Sequence, residues 1–402
     1  MTVEQKMSEC GVILDLDIEG SASGILKSKT FVVKDFFDVE GFVTGCGNPD
    51  WQKTHEPAVS NASCVLKLLD AGARLKGKSC TDELAFSLDG INPYYGTPLN
   101  HHLPDRIPGG SSSGSASAVS CRFVDFGIGT DTAGSIRVPA SYSGLYGFRP
   151  THGAVDISGA VPLGQSFDTV GWLSRDAETL LMVGEVLLDG GSAARSSSTG
   201  NELDASKIAS AAIARSMFEM IPVEISQHLL VAADSLFDHA NRAPDAEITG
   251  YTLDTCASVF GIIRSCEAWK NFGGWVEDFQ PQVSPMVMAR LVEGITISPE
   301  EERMARRLKQ ELCDYFDDLI ARCGAIVLPT TWAMPPLRNA TADALLDNRK
   351  KNLRLTALSV AAGLPQVSIP VEVSTGVRLG LSIIAGRNQD LALLEFAKKI
   401  LV

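Results

Sequence analysis

Short apolar runs, punctuated by glycine, proline and polar residues, mark the first part of the chain and its last part. Residues 30–34 hold Phe31-Val32-Val33 and read as a short buried strand that ends at Lys34. Residues 60–73 put Val65, Leu68, Leu69 and Ala71 on one helical face, with Gly72 near the end, and predict a helix. Residues 74–80 read as a second strand. Residues 90–110 are rich in Asn, Pro, Gly and His and predict a long loop. Residues 113–122 are nearly all small, which predicts a helix lying close against a neighbour. Phe123 to Gly129 read as a strand that feeds the Thr130–Ser135 loop.

From about residue 176 to 325 the texture changes to helical periodicity with fewer Gly and Pro. Ser298, Pro299 and Glu301 supply an N-cap, a first-turn proline and a capping-box acid, and predict a helix running to about Arg322. The Ser/Gly-rich tract 190–202 predicts a mobile surface loop. After Gly324, Ala325 to Pro329 read as a buried strand. Gln366–Val371 and Leu379–Ile384 read as strands, and Leu391–Leu401 as a closing helix. This alternation predicts a mixed, largely α/β sheet.

Composition bounds the reading. A chain of 402 residues can build one large α/β domain or two smaller ones. Apolar residues make up 45% and charged residues 21%, the balance of a soluble globular protein. A net charge of −13 argues against a nucleic-acid or anionic-membrane partner. Residues 1–25 lack a basic region followed by an apolar run, so no signal peptide is expected. No apolar run reaches the length of a membrane span. Nine scattered cysteines (10, 46, 64, 80, 121, 256, 266, 313 and 323) include no CxxC pair. They read as reduced, mostly buried thiols of a cytoplasmic protein, without a zinc site or disulfide framework.

The chemistry concentrates in two glycine-flanked hydroxyl clusters. One is Gly109-Gly110-Ser111-Ser112-Ser113-Gly114-Ser115; the other is Gly129-Thr130-Asp131-Thr132-Ala133-Gly134-Ser135-Ile136-Arg137. Alone, the first reads as a flexible loop or phosphate cradle as readily as a catalytic element. It lacks the lysine of a phosphate-binding P-loop, and Gly127-Ile128-Gly129 fails the dinucleotide pattern because Thr132 stands where glycine is needed. Histidine, the usual base for a serine nucleophile, is scarce: His55, His101, His102, His152, His228 and His239 form no triad context and no metal pair at helical spacing. His101 and His102 fall in a loop and read as solvent-exposed. A lysine kept neutral by burial can replace histidine as the base. Lys34, between Phe31-Val32-Val33 and Asp35-Phe36-Phe37, is the candidate, against the plainer reading of a strand-end lysine reaching water.

Taken together, these segments resemble the amidase signature family, whose members hydrolyse carboxamides with a Ser–Ser–Lys triad. The resemblance rests on Val33-Lys34-Asp35, on Gly109 to Ser115, and on Gly129 to Ala140 with its Ser135 placed 24 residues after Ser111. Gly147 to Thr151, Ser166 to Gly171 and Gly363 to Val367 support it. It implies an α/β fold: a single large domain over 1–402 with a mixed, twisted central sheet covered by helices. Residues 25–175 would form the signature core, 176–325 a divergent helical middle, and 326–402 the rest of the core. It also implies roles. Ser135 would be the nucleophile, Ser111 on a cis peptide bond would bridge Ser135 and Lys34, and Lys34 would be the neutral base. Ser112 would orient the network, and the N–H groups of Thr132, Ala133, Gly134 and Ser135 would form the oxyanion hole. No metal and no cofactor is implied.

Ala133 departs from the family, which usually carries glycine there; its N–H can still serve if its φ is negative. Lys34 to Gly41, Gly47 to Trp51, Tyr95 to Pro98 and Phe148 to Val155 look most like short plant-type indole-3-acetamide hydrolases. That likeness implies a small aryl- or indole-acetamide as substrate. Trp51, Phe36 and Phe148 read as core rather than substrate contacts. Two alternatives remain: a catalytically inactive amidase-like interaction domain, and the glutaminase-type subunit of an amidotransferase. A homodimer stays open.

Overall fold

The computed structural model describes residues 7, 9–188, 208–238 and 240–400, with the side chain of Tyr251 left aside. The Ser/Gly tract 190–202 and His239 fall outside the described residues. Along the chain run β1 (Val12–Ile18), β2 (Thr30–Lys34), α1 (Pro49–Thr54), α2 (Ser63–Asp70), β3 (Arg74–Ser79), α3 (Ser113–Ser120), β4 (Phe126–Thr130), α4 (Arg137–Tyr142), β5 (Tyr146–Arg149), β6 (Val170–Ser174) and α5 (Ala177–Leu188). Then follow β7 (Ser210–Ile213), α6 (Arg215–Phe218), α7 (Val223–Ser235), β8 (Asn241–Arg242), α8 (Gly250–Phe279), α9 (Pro285–Thr296), α10 (Pro299–Cys323), β9 (Ile326–Pro329), α11 (Ala342–Ala362), β10 (Gln366–Ser374), β11 (Val377–Ile384) and α12 (Asp390–Lys399).

The strands form one mixed sheet in the order β1-β3-β2-β4-β6-β5-β10-β11-β9-β7-β8. β2 runs parallel to both β3 and β4, whereas β6, β5, β10 and β11 are joined by antiparallel pairings. β2 and β4 are apolar and buried, as strands covered on both faces require. The sheet thus continues through the helical middle: β7 and β8 extend its edge beyond β9.

α3 carries the small residues Ser113 to Ser120 because it lies hard against the sheet. Residues 113–119 are buried, Ser115 Oγ donates to Ile128 C=O at 2.9 Å, and Ser117 Oγ donates to Leu99 C=O at 2.8 Å. Ser298 and Glu301 close the capping box of α10 as the sequence predicts, with Glu301 N–H to Ser298 Oγ at 3.2 Å and Ser298 N–H to Glu301 Oε2 at 2.8 Å. Trp51, Phe36 and Phe148 are core residues; Phe148 packs on Trp172 with ring centroids 4.9 Å apart.

One cysteine expectation is corrected. Cys10 and Cys121 are paired as a disulfide, their Cα atoms 6.3 Å apart across 111 residues of sequence. Cys10 precedes β1 and Cys121 caps α3, and only the tertiary fold brings those two ends together. The other seven cysteines are free and buried. No helix among the described residues is long and apolar enough to cross a membrane.

Candidate active site

Lys34 and Thr130 end two adjacent parallel strands, β2 and β4, the place where α/β sheets present functional groups. Lys34 is fully buried. Its Nζ lies 2.8 Å from Ser111 Oγ and 2.7 Å from Thr130 Oγ1, and 5.1 Å from the centre of the Phe36 ring. No carboxylate forms an ion pair with it among the described residues. Burial pushes the amine down to about 8, against the opposing pull of Asp82, Asp168 and Asp131.

Ser111 follows a cis Gly110–Ser111 peptide bond. Gly110 N–H donates to Leu88 C=O at 2.9 Å, and Asp82 N–H donates to Ser111 C=O at 3.3 Å, so the turn is held on both sides. Ser112 lies beside both hydroxyl clusters: its N–H donates to Ser135 C=O at 3.2 Å and its Oγ donates to Thr130 C=O at 3.3 Å. The structure therefore joins Lys34 to Ser111 through side chains, and the 111–112 turn to Ser135 through the backbone. Ser135 Oγ makes no hydrogen bond with any described residue, Ser111 included. It lines a cleft with Thr132, Ala133, Ala85, Phe86, Ser87, Leu88, Leu163, Phe260, Arg264 and Arg349.

The loop that carries Ser135 is built around the buried carboxylate of Asp131. Asp131 Oδ1 accepts from Gly134 N–H at 2.9 Å, and Oδ2 accepts from Ile136 N–H at 3.2 Å. Arg137 grips both oxygens, at 2.9 and 2.8 Å, and Arg149 Nη1 adds a third contact at 3.1 Å. Burial alone would raise this carboxyl; the two guanidinium groups and the backbone donors overcome it and hold it far below the usual carboxylate range. Arg137 reaches on to Gln366 Oε1 at 2.6 Å and Ser359 Oγ at 2.9 Å, tying the loop to β10 and α11.

This wiring revises the expected oxyanion hole. The Gly134 N–H already donates to Asp131, so it is not free for a substrate oxygen. The N–H groups of Thr132, Ala133 and Ser135 have no acceptor among the described residues. Gly134 has φ +121°, a conformation that L side chains rarely adopt, whereas Ala133 is not among the positive-φ residues. The extra methyl of Ala133 is thus compatible with its backbone. Its C=O accepts from Thr356 Oγ1 at 2.6 Å, while Thr132 Oγ1 donates to Asp168 Oδ1 at 2.6 Å.

Several functional groups escaped the sequence reading. Asp82 is buried beneath Gly110, and burial raises its carboxyl to about 7. Thr130, Asp131 and Asp168 lay inside the motif segments without an assigned role. Arg264 and Arg349 stand on α8 and α11, where nothing in the local pattern marks them. No histidine contacts Ser111 or Ser135 among the described residues. His101 is half-buried rather than exposed, with Nε2 4.0 Å from Cys10 Sγ. Cys10, His101 and Cys121 cluster within 4.8 Å, but the two sulfurs are bonded to each other and the cluster sits at the end of α3 opposite Ser112.

A comparison with known families matches the amidase family over residues 14–394. The chain belongs to the amidase family. It is 37% identical over 404 residues to "Amidase 1" of Arabidopsis thaliana, covering 93% of each chain. It is 32% identical over 398 residues to "Translocon at the outer membrane of chloroplasts 64" of Pisum sativum, covering 93% of this chain and 65% of that one. A crystal structure of an amidase superposes with a TM-score of 0.82 at 24% identity, covering 98% of this chain and 92% of the other. The amidase fold expected from the sequence is present, and the chain is an amide-hydrolysing enzyme.

Proposed function

We propose that this amidase cleaves a small primary carboxamide to a carboxylate and ammonia through an acyl-enzyme on Ser135. The Lys34–Ser111 contact carries the reading: a fully buried amine, pushed down to about 8 and 2.8 Å from a serine hydroxyl, with no carboxylate among the described residues paired to it. Neutral Lys34 accepts the Ser111 proton as Ser111 takes the Ser135 proton, and Ser135 Oγ attacks the amide carbon. The tetrahedral oxygen is held by the N–H groups of Thr132, Ala133 and Ser135. Each such donor is worth about 10²–10³ in rate. The proton returns through Ser111 to the nitrogen, the C–N bond breaks, and ammonia leaves. Water then attacks the ester and frees the acid and Ser135.

Phe86, Leu88, Leu163 and Phe260 give the cleft an apolar wall suited to an aryl or alkyl acyl group. The likeness to plant-type indole-3-acetamide hydrolases makes indole-3-acetamide and simpler arylacetamides the first amides to assay. The test is ammonia release from a panel of primary amides by wild type, Ser135→Ala and Lys34→Ala. Turnover by wild type with loss of about three orders of magnitude or more in both variants supports the mechanism. Full turnover by Ser135→Ala refutes it. Turnover of no amide by wild type favours the interaction-domain reading, which the 32% identity to the pea translocon protein keeps open.

A further inference from the structure

The cleft beside Ser135 contains more positive charge than the reaction of a neutral amide needs. Arg264 is only 6% exposed, yet its Nε and Nη1 have no hydrogen-bond partner among the described residues. Its Nη2 faces Glu293 at 3.9 Å, beyond hydrogen-bond reach. The guanidinium is held between the Phe86 and Phe260 rings, 5.3 and 5.9 Å from their centres. Arg349 also lines the cleft, and its buried Nε is unpartnered. Arg349 forms no ion pair or hydrogen bond with any described residue. A third guanidinium, Arg290, stands behind them and donates to Phe86 C=O.

Glu293 makes a long ion pair with Arg264, and Asp89 acts across space on Arg349 and Arg290, but among the described residues neither acid accepts a hydrogen bond from Arg264 or Arg349. Asp89 is buried and turned to Ser87 Oγ at 2.7 Å, and burial raises its carboxyl. Glu293 is largely exposed, and Asp82 faces the Lys34 side. Burial and the neighbouring cations push Arg264 down to about 10 and Arg349 to about 9. Buried donors left without acceptors are rare in folded proteins, and a planar fork of N–H groups matches a carboxylate.

We infer that the substrate is an amide whose acyl group carries a carboxylate, clamped by Arg264 and Arg349 while Ser135 attacks the amide at the other end. The inference rests on the Ser135 reading above and adds the charge of the substrate to it. In that arrangement an alkyl or aryl spacer lies against Phe86 and Phe260, which line the same cleft.

The experiment compares matched pairs: succinamate with butyramide, and 4-carboxyphenylacetamide with phenylacetamide. Wild type should favour the anionic member by about tenfold or more in kcat/KM, the worth of a hydrogen bond to a charged group. Arg264→Gln and Arg349→Gln should bring the anionic-to-neutral ratio towards one, chiefly through KM. Because the ratio is taken within each variant, a partial folding defect does not alter it. Equal or better turnover of the neutral amides by wild type, or an unchanged ratio in both variants, overturns the clamp. Ser135→Ala separates the two readings. If it is inactive while wild type prefers neutral amides, the serine reading stands and the clamp falls. If it stays active and keeps the charge preference, the clamp stands and the serine reading falls.

Discussion

Lys34 Nζ and Ser111 Oγ stand 2.8 Å apart with neither side chain exposed to solvent. Burial lowers the Lys34 amine to about 8, so below that pH most molecules carry an ammonium that cannot accept a proton. Activity should rise as pH climbs through about 8 and then level off. Below it, kcat/KM should fall about tenfold per pH unit, as for loss of one essential base. A pH–rate profile checks this, and an acid limb flat down to about pH 5 contradicts it. Lys34→Arg, whose guanidinium stays protonated, should lose activity across the whole range.

Asp82 offers a way to move that limb. Of the carboxylates acting on Lys34, it is the one that most favours the charged amine. Its own carboxyl is raised by burial to about 7, and Oδ1 has no hydrogen-bond partner among the described residues. Asp82→Asn removes the negative charge, so the Lys34 amine should fall further and the acid limb should shift to lower pH. The same pH–rate measurement decides it; a limb that stays put or moves up rules out electrostatic coupling between the two.

Asp131→Asn should be among the most destabilising single changes in the chain. It leaves Arg137 and Arg149 buried without their shared counter-charge, which typically costs about 3–5 kcal/mol. Because the Asp131 carboxyl is held far below the usual range, its contribution is complete at neutral pH and fades only in strong acid. Urea unfolding at pH 7 measures the loss. A change under about 1 kcal/mol would show that the network is not stabilising the loop.

Gly134→Ala tests the loop geometry itself. A Cβ there would meet Thr356 Cγ2 at 3.0 Å, on backbone at φ +121°. The strain should cost about 1–3 kcal/mol and displace the Ala133 and Ser135 amides. The expected result is a fall in kcat of about tenfold or more with a smaller change in KM, since the lost contacts act in the transition state. Steady-state kinetics on one amide suffices, and an unchanged kcat shows that the loop tolerates a side chain.

The proposed catalytic half of the site was legible because it sits in short, contiguous motifs. Lys34 ends an apolar run, and Ser111 and Ser135 lie in glycine-flanked turns whose spacing could be read directly. What those motifs could not show was which amide is already engaged. The Gly134 N–H looks equivalent to its neighbours until Asp131 folds beneath it. β1 went unassigned because its apolar residues alternate with acids at an edge of the sheet, and the pairing of Cys10 with Cys121 depends on tertiary approach. Arg264 and Arg349 sit on ordinary helices 85 residues apart, and only the packing of α8 and α11 over the cleft gives them a role.

The sheet order has a consequence for how such an enzyme can change. In the proposed mechanism the groups that break the amide hang from β2, β4 and the turns beside them, all within the first 135 residues. The cationic groups that face its far end arrive later in the chain, on helices laid over that frame. Changes confined to α8 and α11, which carry Arg264 and Arg349, would therefore alter the far end of the cleft while the groups on β2 and β4 stay in place. A chain altered only there would change its appetite for substrate while its pH profile, set at Lys34, stays the same.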